Sequence, residues 1–240
     1  MQETAERALW QEEGREKRDA VRGMFAQIAP RYDLLNSLLS LWGHHRWRKA
    51  AVAKLQLDKG ESALDVCCGT GDFMVPLREA VGGSGTVVGA DFCGPMLELA
   101  HRKLPKEALA LGDACRLPFA ADRFDAVSVG WGIRNVPNID EAHSEIFRVL
   151  RPGGRFVSAD MAIPRTRVAQ WASCFVRQWV IPTLGSVFGQ REAYTYLPKS
   201  TETFMSREEL AESMSRSGFV EIGWSDFMMG NVCIHWGKKP

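Results

Sequence analysis

The run Ser62–Cys68 (SALDVCC) carries one charge and leads straight into Gly69-Thr70-Gly71. A short apolar run closed by a glycine turn predicts a buried strand feeding a helix, here from about Asp72. The pattern repeats. Thr86–Asp91 reads as a second strand, entered through Gly82-Gly83-Ser84-Gly85, Ala108–Gly112 as a third, Phe124–Trp131 as a fourth and Arg155–Met161 as a fifth. Helices are expected over Pro95–Lys103 and from Asn138 to Leu150. The second opens on Asn138-x-x-Glu141 and stops at Pro152-Gly153-Gly154. Strands this apolar, alternating with helices, imply a parallel sheet covered on both faces. The expected fold is therefore α/β, a doubly wound sheet that is mostly parallel. Ser206-x-x-Glu209 should open a last helix closing at Gly218, with Phe219–Trp224 and Val232–Trp236 as a final strand pair carrying the antiparallel edge. Residues 1–58 read as a helical attachment to a domain over 59–240, in which 162–190 is an aromatic-rich helical insertion.

Composition removes several classes. With 45% apolar and 25% charged residues among 240, the chain is not disordered as a whole. Thirty Lys and Arg against 29 Asp and Glu leave a charge of +1, which argues against nucleic acid as a partner. The six cysteines form no Cys-x-x-Cys pair and have no histidine at finger spacing, so no metal is expected. The charged first 19 residues hold no apolar export segment, and with free thiols the expected location is cytoplasmic. The longest stretch without Asp, Glu, Lys or Arg, Gln178–Gln190, falls short of the roughly 20 residues that span a bilayer.

Open α/β sheets bind ligands at the carboxyl ends of their strands. Gly69 and Gly71 allow close backbone approach there, and the following helix offers free N–H groups. Asp91 ends the second strand, 20 residues past Gly71, where an acid can bind ribose hydroxyls. A dinucleotide turn would need a third glycine where Met74 stands, and Asp72 at the helix start would repel a pyrophosphate. Acids at Asp65 and Asp72 instead suit the sulfonium and ammonium of S-adenosylmethionine. Asp113, after the third strand, can accept from the adenine amino group.

The turn LDVCCGTGD (64–72) resembles class I S-adenosylmethionine-dependent methyltransferases, whose fold is Rossmann-like. FAQIAPRYDLLNSLLS (25–40), with His44 and Trp47-Arg48, is similar to the N-terminal signature of the menaquinone/ubiquinone-biosynthesis C-methyltransferases. Gly132-Ile-Arg134-Asn135-Val136 resembles that family's second signature. Ile181-Pro182-x-x-Gly185, Tyr194-x-Tyr196-Leu197-Pro198-x-Ser200 and His235-x-Gly237 extend the likeness over about 20–240. The resemblance implies S-adenosylmethionine as cofactor, held by Thr70, Asp91, Asp113 and Ala114 beside Asp65, Gly69, Gly71 and Gly130. It implies methylation of a ring carbon of a prenylated quinol, demethylmenaquinol or the ubiquinone-pathway benzoquinol. The tail favours the naphthoquinol. Gly130 stands where the family often has Ser, and Trp42-Gly43-His44 replaces a Gly-x-His pair.

Methyl transfer to a quinol needs in-line positioning and a route for the ring proton. Arg134 and Asn135 are expected over the methyl position, with Arg134 stabilising the quinolate or clamping the loop. Tyr32, Asp33, Asn36 and His44 are expected in an N-terminal helical lid, Tyr32 or His44 near the ring. His44 also reads as a packing residue, and His235 as structural. The basic run Arg46, Arg48, Lys49, Lys54 faces lipid headgroups or water. Trp171, Phe175 and Trp179 share a helix face that either meets a prenyl tail at the inner membrane surface or forms a core or homodimer contact. Two other functions stay open: methylation of another phenolic or sterol-like acceptor, and a non-catalytic cofactor-binding subunit. The amine-accepting Asp/Asn-Pro-Pro-Tyr loop is absent after strand four.

Overall fold

The computed structural model describes residues 14–29, 43–176, 196 and 199–240, the side chains of Arg15 and His44 excepted. In chain order the elements are α1 (Gly14–Ile28), α2 (His44–Lys54), β1 (Ser62–Val66), α3 (Met74–Val81), β2 (Thr86–Asp91), α4 (Gly94–Lys103), β3 (Ala108–Leu111) and β4 (Phe124–Gly130). A 3-10 turn, Ile133–Asn135, precedes α5 (Ile139–Val149), β5 (Leu150–Met161), α6 (Arg167–Phe175), α7 (Arg207–Arg216), β6 (Val220–Phe227) and β7 (Val232–Lys238).

The seven strands lie in the order β3-β2-β1-β4-β5-β7-β6. The first five pair in parallel, and β7 runs antiparallel to both β5 and β6. The strand order reverses between β2 and β4 at β1, which puts the switch point over the Gly69–Gly71 turn. Alternation along β1 sorts the core. Leu64 and Val66 join a cluster with Ile146 of α5 and Met214 of α7, while Ala63 joins Val52, Leu55, Met74 and Leu77 of α2 and α3. Asp65 therefore points to the α2 and α3 face.

Local signals set the helix ends. Asn138 caps α5 by accepting the Glu141 N–H at 3.2 Å. Ser206 and Glu209 form a full capping box on α7. Gly218, at φ 102°, then turns the chain into β6. Helix α1 lies against α4: Val21, Met24 and Ile28 share a buried cluster with Cys93, Met96 and Tyr196. Among the described residues no helix is long and apolar enough to cross a membrane.

The basic run on α2 does not make one exposed stripe. Arg48 is buried, Lys49 pairs with Glu79 at 3.1 Å, and Lys54 Nζ sits 3.8 Å from the Trp236 ring centre. Tyr32, Asp33, Asn36 and Trp179, and the side chain of His44, lie outside the described residues.

Candidate active site

The carboxyl ends of β1 to β4 open into one cleft that encloses about 630 Å³ of space, part of it open to solvent. Cys67 and Gly69 line it after β1, Asp91 and Phe92 at β2, Gly112, Asp113 and Ala114 after β3, and Gly130, Trp131 and Gly132 after β4. Asn135, Val136 and Pro137, with Arg18 and Phe25 from α1, complete the wall. The cleft thus brings together Gly69, Asp91, Asp113, Ala114, Gly130 and Asn135 among the residues singled out from sequence. Asp65, Thr70, Gly71 and Arg134 support it from behind.

The Gly-rich turn has a different task at each position. Gly69 takes φ +53° and has no atom within 4 Å of where a Cβ would stand, so its backbone faces open space. Gly71, at φ +82°, brings the turn against Leu104, whose Cδ1 would lie 3.2 Å from a Cβ. Cys67 is held at φ +56°, a conformation that L residues rarely adopt. A Cβ on Gly132 would overlap the Cys67 side chain, which accounts for the glycine in that loop. Gly130 carries no side chain because the Phe73 ring fills that space. Phe73 thus stands where a serine at 130 would have reached.

Asp91 is locked between the turn and α4: one oxygen accepts the Gly69 N–H and the other the Cys93 N–H, each at 2.8 Å. Burial still pushes its carboxyl up to about 6 against those bonds. Asp113 accepts the Cys115 N–H at 2.9 Å, and its second oxygen lies 3.7 Å from Arg18 Nη1. Thr70 is buried, with Lys103 Nζ 3.4 Å from its hydroxyl. Asp72 faces two cations, Arg48 at 2.8 Å and Lys103 at 2.6 Å. This corrects the expectation that Asp72 offers free negative charge to a cationic ligand.

Asp65 is fully buried in β1. One oxygen accepts the Ser128 O–H at 2.7 Å, and Oδ2 has no hydrogen-bond partner among the described residues. Burial raises its carboxyl to about 8, against the pull of Ser128 and Arg48. A buried carboxyl oxygen with no donor, behind a glycine turn that admits close approach, suits an ammonium group. The residues present therefore fit S-adenosylmethionine, whose ammonium suits that unpartnered acid, with Asp91 and Asp113 at the other strand ends of the same cleft.

The loop after β4 is held from beneath. Arg134 is buried and ion-paired with Asp160 of β5, whose other oxygen accepts the Arg134 N–H at 3.3 Å. The Trp131 carbonyl accepts from Arg134 Nη1 and Asn135 Nδ2, each at 3.1 Å. The side-chain oxygen Oδ1 of Asn135 accepts the Tyr196 O–H at 2.9 Å. Arg134 does not line the cleft; Asn135 does. Lys17 of α1 donates to the Val136 carbonyl at 3.1 Å and the Arg134 carbonyl at 3.4 Å, tying the N-terminal helix to this loop.

Sequence reading passed over Asp160, Lys17, Arg18 and the local role of Tyr196. An acid at the carboxyl end of the fifth strand was a usable signal for Asp160. Lys17 and Arg18 sit in a charged stretch that reads as solvated. Among the described residues no group of three or more His, Cys, Asp and Glu could hold a metal ion.

The fold is similar to that of solved methyltransferases. An S-adenosylmethionine-dependent methyltransferase of Thermotoga maritima superposes with a TM-score of 0.64 at 19% identity, covering 91% of this chain and 99% of that one. At that identity the likeness concerns the fold. Sequence relatives go further. The demethylmenaquinone methyltransferase of Lactiplantibacillus plantarum is 37% identical over 228 residues, covering 91% of this chain and 95% of its own. That of Alkalihalophilus pseudofirmus is 36% identical over 229 residues, covering 93% and 97%. Residues 11–239 match the family model described as the ubiE/COQ5 methyltransferase family. The match starts before α1 and runs past the end of β7, and so takes in every wall of the cleft: the chain belongs to that family.

Proposed function

We propose that this methyltransferase, with S-adenosylmethionine as donor, methylates a ring carbon of demethylmenaquinol to give menaquinol. The observation that carries the reading is the continuity of one cleft from Gly69, Asp91 and Asp113 to the Asn135–Pro137 wall. The naphthoquinol is favoured over a benzoquinol by relatives called demethylmenaquinone methyltransferases at 35–37% identity.

When bound, S-adenosylmethionine supplies an electrophilic methyl group on a sulfonium. The chain's own residues supply position and dryness. Asp91 and Asp113 hold the nucleoside end, and Asp65 holds the amino group. Asn135 forms part of the cleft wall, its amide fixed by Tyr196 and by the Trp131 carbonyl. Arg134 keeps a positive charge under the loop, where it can stabilise a developing quinolate. Residues 1–58 act as a lid, with Tyr32 or His44 handling the ring proton. Lys17 and Arg18 latch α1 onto the cleft and support that role.

The test offers the purified protein S-adenosylmethionine with demethylmenaquinol and demethylated benzoquinol in competition. Mass spectrometry should find the methyl group on the naphthoquinol at least tenfold faster. Equal transfer to both, or transfer to a phenol lacking a prenyl chain, overturns this choice of acceptor. Cofactor uptake without product would instead mean a non-catalytic subunit.

A prenylated acceptor has to be drawn from a bilayer, and α6 offers a surface for that. Val168 is 80% and Trp171 75% exposed on this helix, and Trp171 stacks on exposed Phe175 at 6.5 Å between ring centres. Ser173 bonds Asn231 on the other side of the helix, beside the exposed Met228 and Met229 of the β6–β7 turn. Apolar side chains beside Arg165 and Arg167 suit peripheral contact with the cytoplasmic membrane face. Flotation on anionic vesicles at low salt should carry the wild type, and Trp171→Glu with Phe175→Glu should cut the bound fraction at least fivefold. An unchanged bound fraction removes α6 from this role, and a dimer-to-monomer change in sedimentation would assign the face to a second copy.

A further inference from the structure

Arg48 is a buried charge that the proposed mechanism leaves without a task. It reaches from α2 to the back of the Gly-rich turn and is only 5% exposed. One of its nitrogens, Nη2, donates to Asp72 at 2.8 Å. Its Nε and Nη1 are buried and find no hydrogen-bond partner among the described residues. Leaving guanidinium donors buried and unmatched is costly, so such an arrangement in a folded chain calls for an acceptor.

A second orphan lies on the same face of the sheet. Asp65 Oδ2 is buried without a donor, and the field of Arg48 acts on that carboxyl. A direct bond between Arg48 and Asp65 would satisfy both groups at once. They remain apart, a donor set and an acceptor flanking the turn. A ligand carrying both an ammonium and a carboxylate satisfies the two together, and a ligand with either group alone satisfies only one.

The path is short. The guanidinium carbon of Arg48 lies 5.2 Å from the ring centre of Trp131, and Trp131 lines the cleft next to Gly130. Ring contacts with Trp47 and Phe73 hold the indole there, and it makes no hydrogen bond among the described residues. For Arg48 to meet a ligand in the cleft, that ring has to turn aside.

We propose that Arg48 binds the α-carboxylate of the amino-acid end of S-adenosylmethionine through Nε and Nη1, with Asp65 taking the ammonium beside it. The proposal rests on the cofactor assignment above and adds a cofactor-binding residue drawn from the N-terminal helices. It makes α2 part of the cofactor site, so the attachment and the α/β domain close on one ligand.

Calorimetry with S-adenosylhomocysteine and with 5′-methylthioadenosine, which lacks the amino-acid group, tests it. Arg48→Met should weaken S-adenosylhomocysteine about 10- to 100-fold, as expected for lost charge-assisted hydrogen bonds, and leave methylthioadenosine within twofold of wild type. Arg48→Lys should fall between. Equal losses for both ligands would mean a purely structural arginine and overturn the proposal, as would unchanged binding of the homocysteine ligand. Should Arg48→Met fail to fold, the wild type answers through the ligand: decarboxylated S-adenosylhomocysteine should bind at least tenfold weaker than the parent, and equal binding overturns the proposal. Wild-type protein that takes up methylthioadenosine and homocysteine ligand alike refutes Arg48 alone, whereas failure to bind either refutes the cofactor assignment itself.

Discussion

Asp160→Ala is expected to destabilise the folded protein by about 3–5 kcal/mol, the usual consequence of stranding one member of a buried ion pair. Asp160 holds three donors: the Arg134 guanidinium, the Arg134 N–H at 3.3 Å and the Met161 N–H at 2.7 Å. Removing it takes away the buried counter-charge of the Arg134 guanidinium and loosens the loop that carries Asn135. Denaturant unfolding reads the first effect. Turnover reads the second and should drop at least a hundredfold. The double variant Arg134→Met with Asp160→Leu separates the two roles of Arg134. It should recover most of the lost stability, because a well-packed apolar pair replaces a buried ionic one at little net cost. If turnover stays low in that variant and in Arg134→Lys, the charge itself serves the reaction. Recovery of turnover along with stability would reduce Arg134 to a clamp. Wild-type stability in Asp160→Ala would contradict the importance of the pair altogether.

The sheet was legible because its signals are local and redundant. Ser62–Cys68 and Thr86–Asp91 are apolar enough for burial on both faces, and Asn138 and Ser206 mark helix starts with side chains that cap them. The acids at the ends of β2 and β3 were legible for the same reason, since strand ends converge on one edge whatever the intervening loops do. The tertiary layer was not. Nothing in the string says that Phe73 fills the space over Gly130 or that Asp72 is shared by Arg48 and Lys103; both follow from how α2, α3 and α4 pack. The same holds for the left-handed Cys67 and Trp131, which local preference would place elsewhere and which the packing around Gly132 and the Ala159 carbonyl holds in position. Arg134 shows the limit most sharply. The motif brought it to notice, and only the fold shows its guanidinium turned to Asp160 with Asn135 left at the cleft.

Asp65 should make both stability and cofactor affinity depend on pH, in opposite directions. Its carboxyl titrates near 3.8 when unfolded and is raised to about 8 in the folded chain by burial in β1. Between those values the unfolded chain has released the proton and the folded chain keeps it. Stability therefore falls as pH rises from about 4 to about 8, and the loss is complete above that. Asp65→Asn removes the titrating group and keeps an acceptor for Ser128. The variant should match the wild type below about pH 4 and exceed it at pH 8.5 by on the order of a few kcal/mol, read as a difference between denaturation curves. Binding runs the other way. An ammonium at Oδ2 needs the ionised carboxylate, so wild-type affinity for S-adenosylhomocysteine should rise roughly tenfold from pH 6.5 to 8, with a proton released on binding. The Asn variant should bind more weakly and show no such rise. A wild type whose stability falls no faster with pH than that of Asp65→Asn would refute the raised carboxyl. If instead affinity is flat with pH while stability falls, the carboxyl is raised but does not meet the ammonium. The chain would then keep an acid that costs stability at neutral pH without serving the ligand. Retention of that acid is accounted for only if the energy withheld from folding reappears when the ligand's cation arrives.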